Sequence, residues 1–447
     1  MRNLPCAVLL TASMLSSVSD AGTITVSPTS SITSLTTALQ IADAGDTILL
    51  KTGVYHEAVL IPSTLDSLTI RGVGNVILDA RVVTGLELGA AIVNQADGVT
   101  IRDLTIRNAA TVLADAGDGI RSTGLDTIVS GCTLIGNEAA GIRLAQSFAV
   151  VSKCTFIGNA NGIVLASSGG SRIEKCTFRS SLGACAVLTD TIDVVFDKCV
   201  FEGSAAGGGI DSDDVSTNPG LVVRNCKFRA LVGPGIRHVG NSLTVEKCSF
   251  RDSAGHGITV DDSGFVTVTG CSFANLSFQS SALVLTSSSE ATIEKCSVTD
   301  VSSMGLSVTD STGVDVRSSS FKRGGRDLEP CVFADGSTDV SLEKVTIADW
   351  GEGVRSVDGS VLALTSCTVS NCVRDGFDVE STSGAVTLTK CKATGCSAEG
   401  LDNGGPTTDA VDCTFKSNRI DVANDGTLTL TGGSHGTGGT STPPAID

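Results

Sequence analysis

Basic residues, aromatic residues and long apolar runs are all scarce in this sequence. It has 31 Lys and Arg against 48 Asp and Glu, which gives a formal net charge of −17 at pH 7. Such a chain lacks the basic surface that phosphate backbones require, so its composition argues against nucleic acid as a partner. It also argues against attraction to anionic membranes. The aromatic content is 4%, with one Trp and one Tyr, so few side chains are available to stack on a sugar ring.

Apolar runs long enough to span a membrane are missing as well. The stretch from Leu4 to Leu15 is largely apolar but too short to cross a bilayer. It follows Arg2 and precedes small residues around Ser19 and Ala21, a pattern typical of a secretory signal peptide. We therefore predict that residues 1–21 are a signal peptide and that the protein is extracellular or periplasmic. We also predict that it does not insert into a membrane.

Helical periodicity is missing after residue 45, and short alternating runs rich in Val, Ile and Thr take its place. Alternation at period two indicates β-strands, and the Gly, Asn, Ser and Asp between the runs indicate turns. The runs recur every 22 to 27 residues, and the most regular feature of the repeat is Cys-x-Phe or a close variant. Its cysteines are Cys132, Cys154, Cys176, Cys199, Cys226, Cys248, Cys271, Cys296, Cys367, Cys391 and Cys413.

A Gly-apolar step is the second feature of the repeat, as in Gly141-Ile142 and Gly257-Ile258. A unit this short holds two or three strands, which is one turn of a β-solenoid. We predict an all-β fold, a single-stranded parallel β-helix of about thirteen turns over residues 22–431. Equivalent residues of successive turns should then stack about 4.8 Å apart.

The cysteine pattern predicts an interior ladder of thiols. Eleven of the 16 cysteines share one repeat position, two residues before an apolar site, so period-two geometry points both positions inward. Stacked residues run in a line, whereas a metal needs ligands that converge. Parallel stacking also keeps their β-carbons near 4.8 Å, beyond the usual disulfide value. We therefore expect reduced, buried thiols.

The two ends of the solenoid need separate explanations, because an open end exposes strand edges. Residues 33–44 carry Leu35, Ala38 and Leu39 at helical spacing, which predicts an N-terminal capping helix. The Gly/Thr/Pro-rich segment 432–447 is predicted to be a disordered tail.

The segment from Ala44 to Tyr55 and the repeat form Gly-Ile-x-Leu followed by x-Cys-x-Phe resemble the pectin-lyase-like right-handed parallel β-helix proteins. The resemblance covers roughly residues 30–430 and implies a right-handed solenoid. That superfamily includes pectate lyases, polygalacturonases, alginate-modifying enzymes, phage tailspikes and adhesins. The resemblance to this superfamily implies a polysaccharide or cell-surface glycan as partner, but the fold alone does not determine the activity.

The catalytic motifs of these enzymes are incomplete in this chain. Asp213-Asp214 and Gly255-His256-Gly257 match two polygalacturonase-like patterns, but they lie about two repeats apart, where those enzymes place them one apart. Asn-Thr-Asp and Arg-x-Lys are missing, as are the pectate-lyase-like Trp-x-Asp-His and Arg-x-Pro-x-x-Arg. Because Gly-His-Gly falls at the ordinary turn before Gly-Ile, we interpret it as a turn.

Stacking nevertheless predicts a candidate catalytic cluster of Asp211, Asp213, Arg237, His256 and Asp261. Three interpretations are open. Asp213 and Asp261, about 9.6 Å apart over two turns, could act as an inverting glycosidase pair. The three aspartates could instead hold Ca²⁺, which would acidify a uronate for removal of its proton by Arg237 or His256. Alternatively, Asp211 and Arg237 form a structural cross-strand ion pair.

A second candidate cluster, for substrate binding, contains Arg326, Trp350 and Arg374. An exposed Trp beside Arg could stack on a sugar while the Arg pairs with its carboxylate. The other interpretation is that Trp350 folds over a turn and shields the core.

Two functions remain open at this point. One is a secreted protein that binds an acidic polysaccharide and cleaves it as a lyase or glycoside hydrolase. The other is a non-catalytic extracellular scaffold or adhesin-like protein, which needs no catalytic group.

Overall fold

The computed structural model describes residues 21–81, 89–110, 116–145, 148–213, 220–240, 242–325 and 328–436. Residues 1–20 of the predicted signal peptide and residues 437–447 of the predicted tail lie outside the described residues. The first residues of that predicted tail continue the solenoid, because Ser434–His435 pairs in parallel with Thr414 and Phe415. Among the described residues, no helix has both the length and the apolar character needed to cross a membrane.

Parallel strands wind into a β-solenoid of about 17 turns. A regular turn contains three strands, for example Val150–Ser152, Thr155–Ile157 and Asn161–Ala166. Each strand pairs with its equivalent in the next turn, so Phe156 lies opposite Phe178. The predicted parallel β-helix is confirmed, but the prediction of thirteen turns is too low. Turns near both ends, such as those containing Val59–Ile61 and Leu428–Thr431, lack the Cys-x-Phe feature on which the prediction depended.

The strands form two sheets. Sheet A has 33 strands in two arms, and the arms are joined through two long strands, Thr47–Tyr55 and Thr69–Asp79. Sheet B has 16 strands, one in each turn that it crosses.

The first arm of sheet A consists of Thr23–Val26, Thr100–Arg102, Ile128–Ser130, Val150–Ser152, Arg172–Glu174, Val194–Asp197, Gly220–Arg224, Ser242–Glu246, Phe265–Thr269, Ser289–Glu294, Thr312–Arg317, Thr338–Glu343, Leu362–Thr365, Ala385–Thr389, Thr407–Val411 and Leu428–Thr431.

The second arm of sheet A consists of Thr105–Arg107, Thr133–Ile135, Thr155–Ile157, Thr177–Arg179, Val200–Glu202, Lys227–Arg229, Ser249–Ser253, Ser272–Leu276, Ser297–Val301, Ser320–Gly324, Thr346–Trp350, Thr368–Ser370, Lys392–Thr394, Thr414–Lys416 and Ser434–His435.

Sheet B consists of Val59–Ile61, Ala90–Asn94, Asp118–Ser122, Ala140–Ala145, Asn161–Ala166, Ala186–Thr189, Ile210–Asp213, Ile236–Val239, Ile258–Asp261, Leu283–Thr286, Leu306–Thr309, Pro330–Asp335, Glu352–Val357, Phe377–Val379, Glu399–Asn403 and Ile420–Asn424.

The core contains ladders of identical side chains, as the repeat predicts. Phe rings from Phe156 to Phe273 stack with centroids 4.6 to 5.0 Å apart and nearly parallel planes. All cysteines in the described part of the chain are free and buried. The thiols of the eleven repeat cysteines donate to carbonyls of the preceding turn, for example from Cys154 Sγ to the Val129 oxygen at 3.6 Å. The predicted ladder of buried, unpaired thiols is therefore confirmed.

One helix, Leu35–Ile41, lies at the N-terminal end of the solenoid, inside the predicted range 33–44. Ser34 caps it, because its side chain accepts a hydrogen bond from the Thr37 backbone N–H. Its buried residues Leu35, Ala38 and Leu39 are the predicted apolar face, and the helix packs on the first strands of both sheets.

Candidate functional site

The candidate site lies on the outer face of sheet B, in the turns from Glu329 to Asp402. Register pairs Phe333 with Arg355, then Arg355 with Asp378, then Asp378 with Asp402. The four side chains therefore follow one another in a column, about 4.8 Å apart per turn. A column that passes from an aromatic ring to a guanidinium and then to carboxylates brings very different chemical groups together on one surface.

A groove opens beside the first half of this column. Its volume is about 460 Å³, large enough for a sugar unit or two. Its walls are formed by Met304, Glu329, Pro330, Phe333, Asp335, Arg355, Val357, Asp358, Glu380 and Thr382.

Asp335 and Asp358 place two carboxyl groups in this groove. Asp335 pairs with Val357 across the ladder, so Asp358 is the residue directly after its neighbour in the next turn. Asp335 is half-buried, whereas Asp358 is exposed. Burial raises the pKa of Asp335, and the negative charges of Asp358 and Asp310 raise it further. The backbone N–H of Asp358 donates to Thr382 Oγ1 at 3.1 Å, which ties the backbone at Asp358 to the far wall of the groove.

Arg355 occupies the middle of the groove and is held by two carboxylates. Its Nε lies 3.5 Å from Asp378 Oδ2, and its Nη2 contacts Glu380 Oε1. The side chain remains 29% exposed.

A carboxylate cluster, made up of Glu352, Asp375, Asp378, Glu399 and Asp402, adjoins the groove. Oxygens of Glu352, Asp375 and Asp378 lie within 4.8 Å of one another, and so do oxygens of Asp375, Glu399 and Asp402. Burial raises the pKa of Glu352 to about 8, with a further contribution from Asp378, while Arg374 and Arg355 oppose the shift. These are also the residues that could hold a cation.

The first predicted cluster is only partly assembled. Arg237 Nη1 donates to Asp211 Oδ1 at 3.0 Å in the predicted cross-strand register, which supports the structural ion-pair interpretation. Asp213 and Asp261 lie two turns apart in one column, with Val239 between them, and both are exposed. Among the described residues, the three aspartates do not converge as a metal site.

His256 lies at the edge of this first cluster. Its Nδ1 accepts a hydrogen bond from the Ser281 backbone N–H at 3.0 Å. Burial lowers the pKa of His256. The ring is therefore neutral near pH 7 and fixed to the next turn. Asp214, the second half of the aspartate pair, lies outside the described residues.

Trp350, from the second predicted cluster, is a core residue. Its side chain is fully buried and packs edge-on against Phe321, with ring centroids 6.4 Å apart. The expectation that it stacks on a sugar is wrong, because Gly324 and Gly325 leave the space into which the indole sinks. Arg374 pairs with Glu352 at 3.1 Å, and Arg326 lies outside the described residues.

Several residues of the site were missed at the sequence level. Asp378 and Asp402 each follow a Gly-apolar step in consecutive repeats, so an acidic residue at the same phase twice in succession was a usable signal. Asp335 and Asp358 carry no such signal, because one ends a strand and the other begins a turn. Only the groove distinguishes them from the other aspartates of the surface.

Comparison with protein families identifies the class. The family model described as a right-handed β-helix region matches residues 29–172, 88–250, 161–321 and 257–420. These overlapping segments cover most of the chain, so the protein belongs to the right-handed β-helix family. The match confirms the predicted pectin-lyase-like fold and its handedness.

Solved structures with this fold include several that act on polysaccharides. The catalytic domain of an alpha-1,3-glucanase in complex with tetrasaccharides is 12% identical, with a TM-score of 0.48, over 81% of this chain and 66% of that one. A pectate lyase is 13% identical, with a TM-score of 0.41, over 62% of this chain and 78% of the other. The pectin methylesterase PemA from Erwinia chrysanthemi is 14% identical, with a TM-score of 0.33, over 47% and 79%. Likenesses this distant carry no information about activity. No curated protein sequence matches the chain.

Proposed function

We propose that this protein is a carbohydrate-active enzyme that hydrolyses a glycosidic bond in the groove on sheet B. The observation that carries the proposal is the pairing of Asp335 and Asp358, two carboxyl groups from adjacent turns, with Phe333 and Arg355 in one groove. Glycoside hydrolysis needs two carboxyl groups in different protonation states, together with a surface that orients the sugar.

The environments of the two carboxyl groups suggest their roles. Asp335 is half-buried, and its raised pKa favours the protonated form that donates to the leaving oxygen. Asp358 is exposed at the same groove, and it acts as the nucleophile or base.

The rest of the groove supplies contacts to the sugar. The half-buried ring of Phe333 offers an apolar face to the sugar ring. Arg355, Glu380 and Thr382 provide donors and acceptors for its hydroxyl groups.

The charge of the groove favours a neutral polysaccharide over the acidic one expected from the sequence. Besides the proposed acid Asp335, its walls carry three acidic side chains, Glu329, Asp358 and Glu380, against one guanidinium, which is already paired. A polyanion would be repelled unless a cation lay between. Secretion is part of the same proposal and is supported by the signal-peptide pattern of residues 1–21.

The test is incubation with a panel of neutral and acidic polysaccharides, with reducing ends and unsaturated uronates measured separately. We expect reducing ends from a neutral glycan. Asp335→Asn and Asp358→Asn should each lower the rate by about 100-fold or more, because each removes a proton-transfer or nucleophilic group. Asp261→Asn is the matched control. It occupies the same outward column position three turns earlier, away from the groove, and should retain full activity.

Three results would contradict the proposal. Unsaturated products would indicate a lyase, and full activity of the Asp335→Asn variant would place the chemistry elsewhere. Binding to a glycan without release from any member of the panel would favour the non-catalytic scaffold.

A further inference from the structure

We propose that Glu352, Asp375 and Asp378 form a divalent-cation site that prefers Ca²⁺. The site is separate from the Asp335–Asp358 pair, and the inference holds whether or not the chain hydrolyses a glycan. It lies at the start of two neighbouring strands of sheet B, Glu352–Val357 and Phe377–Val379.

The separations of the oxygens suit a single ion. One oxygen from each of the three side chains lies within 4.8 Å of the other two. Oxygens that bind Ca²⁺ lie 2.3 to 2.6 Å from it, so two ligands of one ion are at most about 5 Å apart. The three carboxylates can therefore reach a common cation with little movement of the chain.

Glu352 supplies an independent observation that points to a cation. Its side chain is fully buried, and neither carboxylate oxygen has a hydrogen-bond partner. Arg374 Nη1 lies 3.1 Å from Oε2, but the contact lacks hydrogen-bond geometry. Leaving buried polar groups unbonded is costly, so native proteins pair them with side chains, water or metal.

Another turn of the same sheet has a buried carboxylate at the equivalent position that is fully hydrogen-bonded. Asp118-Gly-Ile-Arg-Ser122 repeats the pattern of Glu352-Gly-Val-Arg-Ser356 on the same sheet, and Asp118 is equally buried. Asp118, however, accepts hydrogen bonds from the Ala140 backbone N–H and from the Nε atoms of Arg121 and Arg143, all within 2.9 Å. The same position therefore accepts three hydrogen bonds from protein donors in one turn, whereas in the other it has only the ion pair with Arg374 and accepts no hydrogen bond.

The local charge agrees with a divalent ion. The five carboxyl groups of the carboxylate cluster, together with Glu380 beside Arg355, outnumber the three guanidinium groups, Arg355, Arg374 and Arg419. This excess of acidic groups attracts a cation. Carboxylate oxygens are hard ligands, and flexible coordination by several of them favours Ca²⁺ over Mg²⁺, which demands a smaller octahedral shell.

The test uses the full chain after chelator treatment and removal of the chelator, with calorimetric titration of Ca²⁺ and Mg²⁺. We expect saturable Ca²⁺ binding, weaker Mg²⁺ binding and a melting temperature that rises with Ca²⁺. Glu352→Gln keeps the shape but removes the charge, so it should fold without the ion and lose the Ca²⁺ response. Asp261→Asn should behave as the wild type.

The outcomes are decisive without any activity measurement. Wild-type protein that neither binds Ca²⁺ nor melts higher in its presence would overturn the inference. So would a Glu352→Gln variant with undiminished binding, or tighter binding of Mg²⁺ than of Ca²⁺. If Glu352→Gln does not fold, Asp375→Asn takes its place, with the same loss of binding expected.

Discussion

Carboxylates on sheet B differ in their partners more than in their burial. Asp118 and Glu352 are equally inaccessible, yet Asp118 is surrounded by donors while both Glu352 oxygens lack hydrogen bonds. Asp335 has a third kind of environment, because it is half-buried in an open groove beside another carboxyl group, that of Asp358. Each environment gives the same functional group a different use: structural support, cation binding or proton donation.

The pH dependence of kcat/KM tests the role of Asp335 as the acid. Asp335 must be protonated to act as an acid, so activity should fall as pH rises through its pKa. Burial is the main cause of that raised pKa, followed by the charges of Asp358 and Asp310. Asp310 does not line the groove. Asp310→Asn removes one negative neighbour, lowers the pKa of Asp335 and should move the alkaline limb of kcat/KM to lower pH.

Asp310 is a favourable position for this substitution. Its φ is 49°, a left-handed conformation that Asn adopts readily. The rate at the optimum should stay near the wild-type value. An alkaline limb that does not move, or that moves equally in Asp261→Asn, would contradict the assignment of Asp335 as the acid.

Residue roles were the least predictable part of the sequence. The ion pair of Asp211 and Arg237 follows from register alone, and the structure contains it. The position of Trp350 does not follow from register, because it depends on the space left by Gly324 and Gly325 one turn earlier. Sequence spacing specifies which residues stack, but not how deeply a side chain sinks between them.

Repetition made individual elements far more predictable. One phase of the repeat predicts both the thiol ladder and the phenylalanine stack, because inward positions recur with every turn. Stacked aromatic pairs contribute about 0.5 to 1.5 kcal/mol each beyond their burial, so this row supports the middle of the solenoid. The number of turns was underestimated because the terminal turns use other residues at the same phase.

Thiol labelling tests whether the cysteines of the ladder are buried and reduced. All 15 cysteines of the described residues are buried, and burial suppresses formation of the reactive thiolate. We expect almost no reaction with a thiol reagent in native buffer and reaction of all of them in denaturant, counted by absorbance. Rapid labelling of several cysteines in the native protein would contradict a buried interior ladder. Fewer reactive thiols than expected in denaturant without reductant would contradict a reduced one.

At the scale of the whole molecule, the protein is a rod about 80 Å long, given about 17 turns at the strand spacing. The fold class and the parallel pairing of the strands were predictable because every turn repeats the same pattern of inward and outward residues. The groove was not, because it depends on side chains from separate turns that meet on one face. The strongly acidic surface, with a net charge of −17, is consistent with a substrate that carries little negative charge.

The central claim is that the Asp335–Asp358 groove holds the scissile bond of a glycan. The most direct measurement is the crystal structure of the Asp335→Asn variant with an oligosaccharide of the glycan that the wild type cleaves. We expect a sugar ring against Phe333, with a glycosidic oxygen between residues 335 and 358. An oligosaccharide bound instead at Asp211 and Arg237, or anywhere outside the groove, would contradict it.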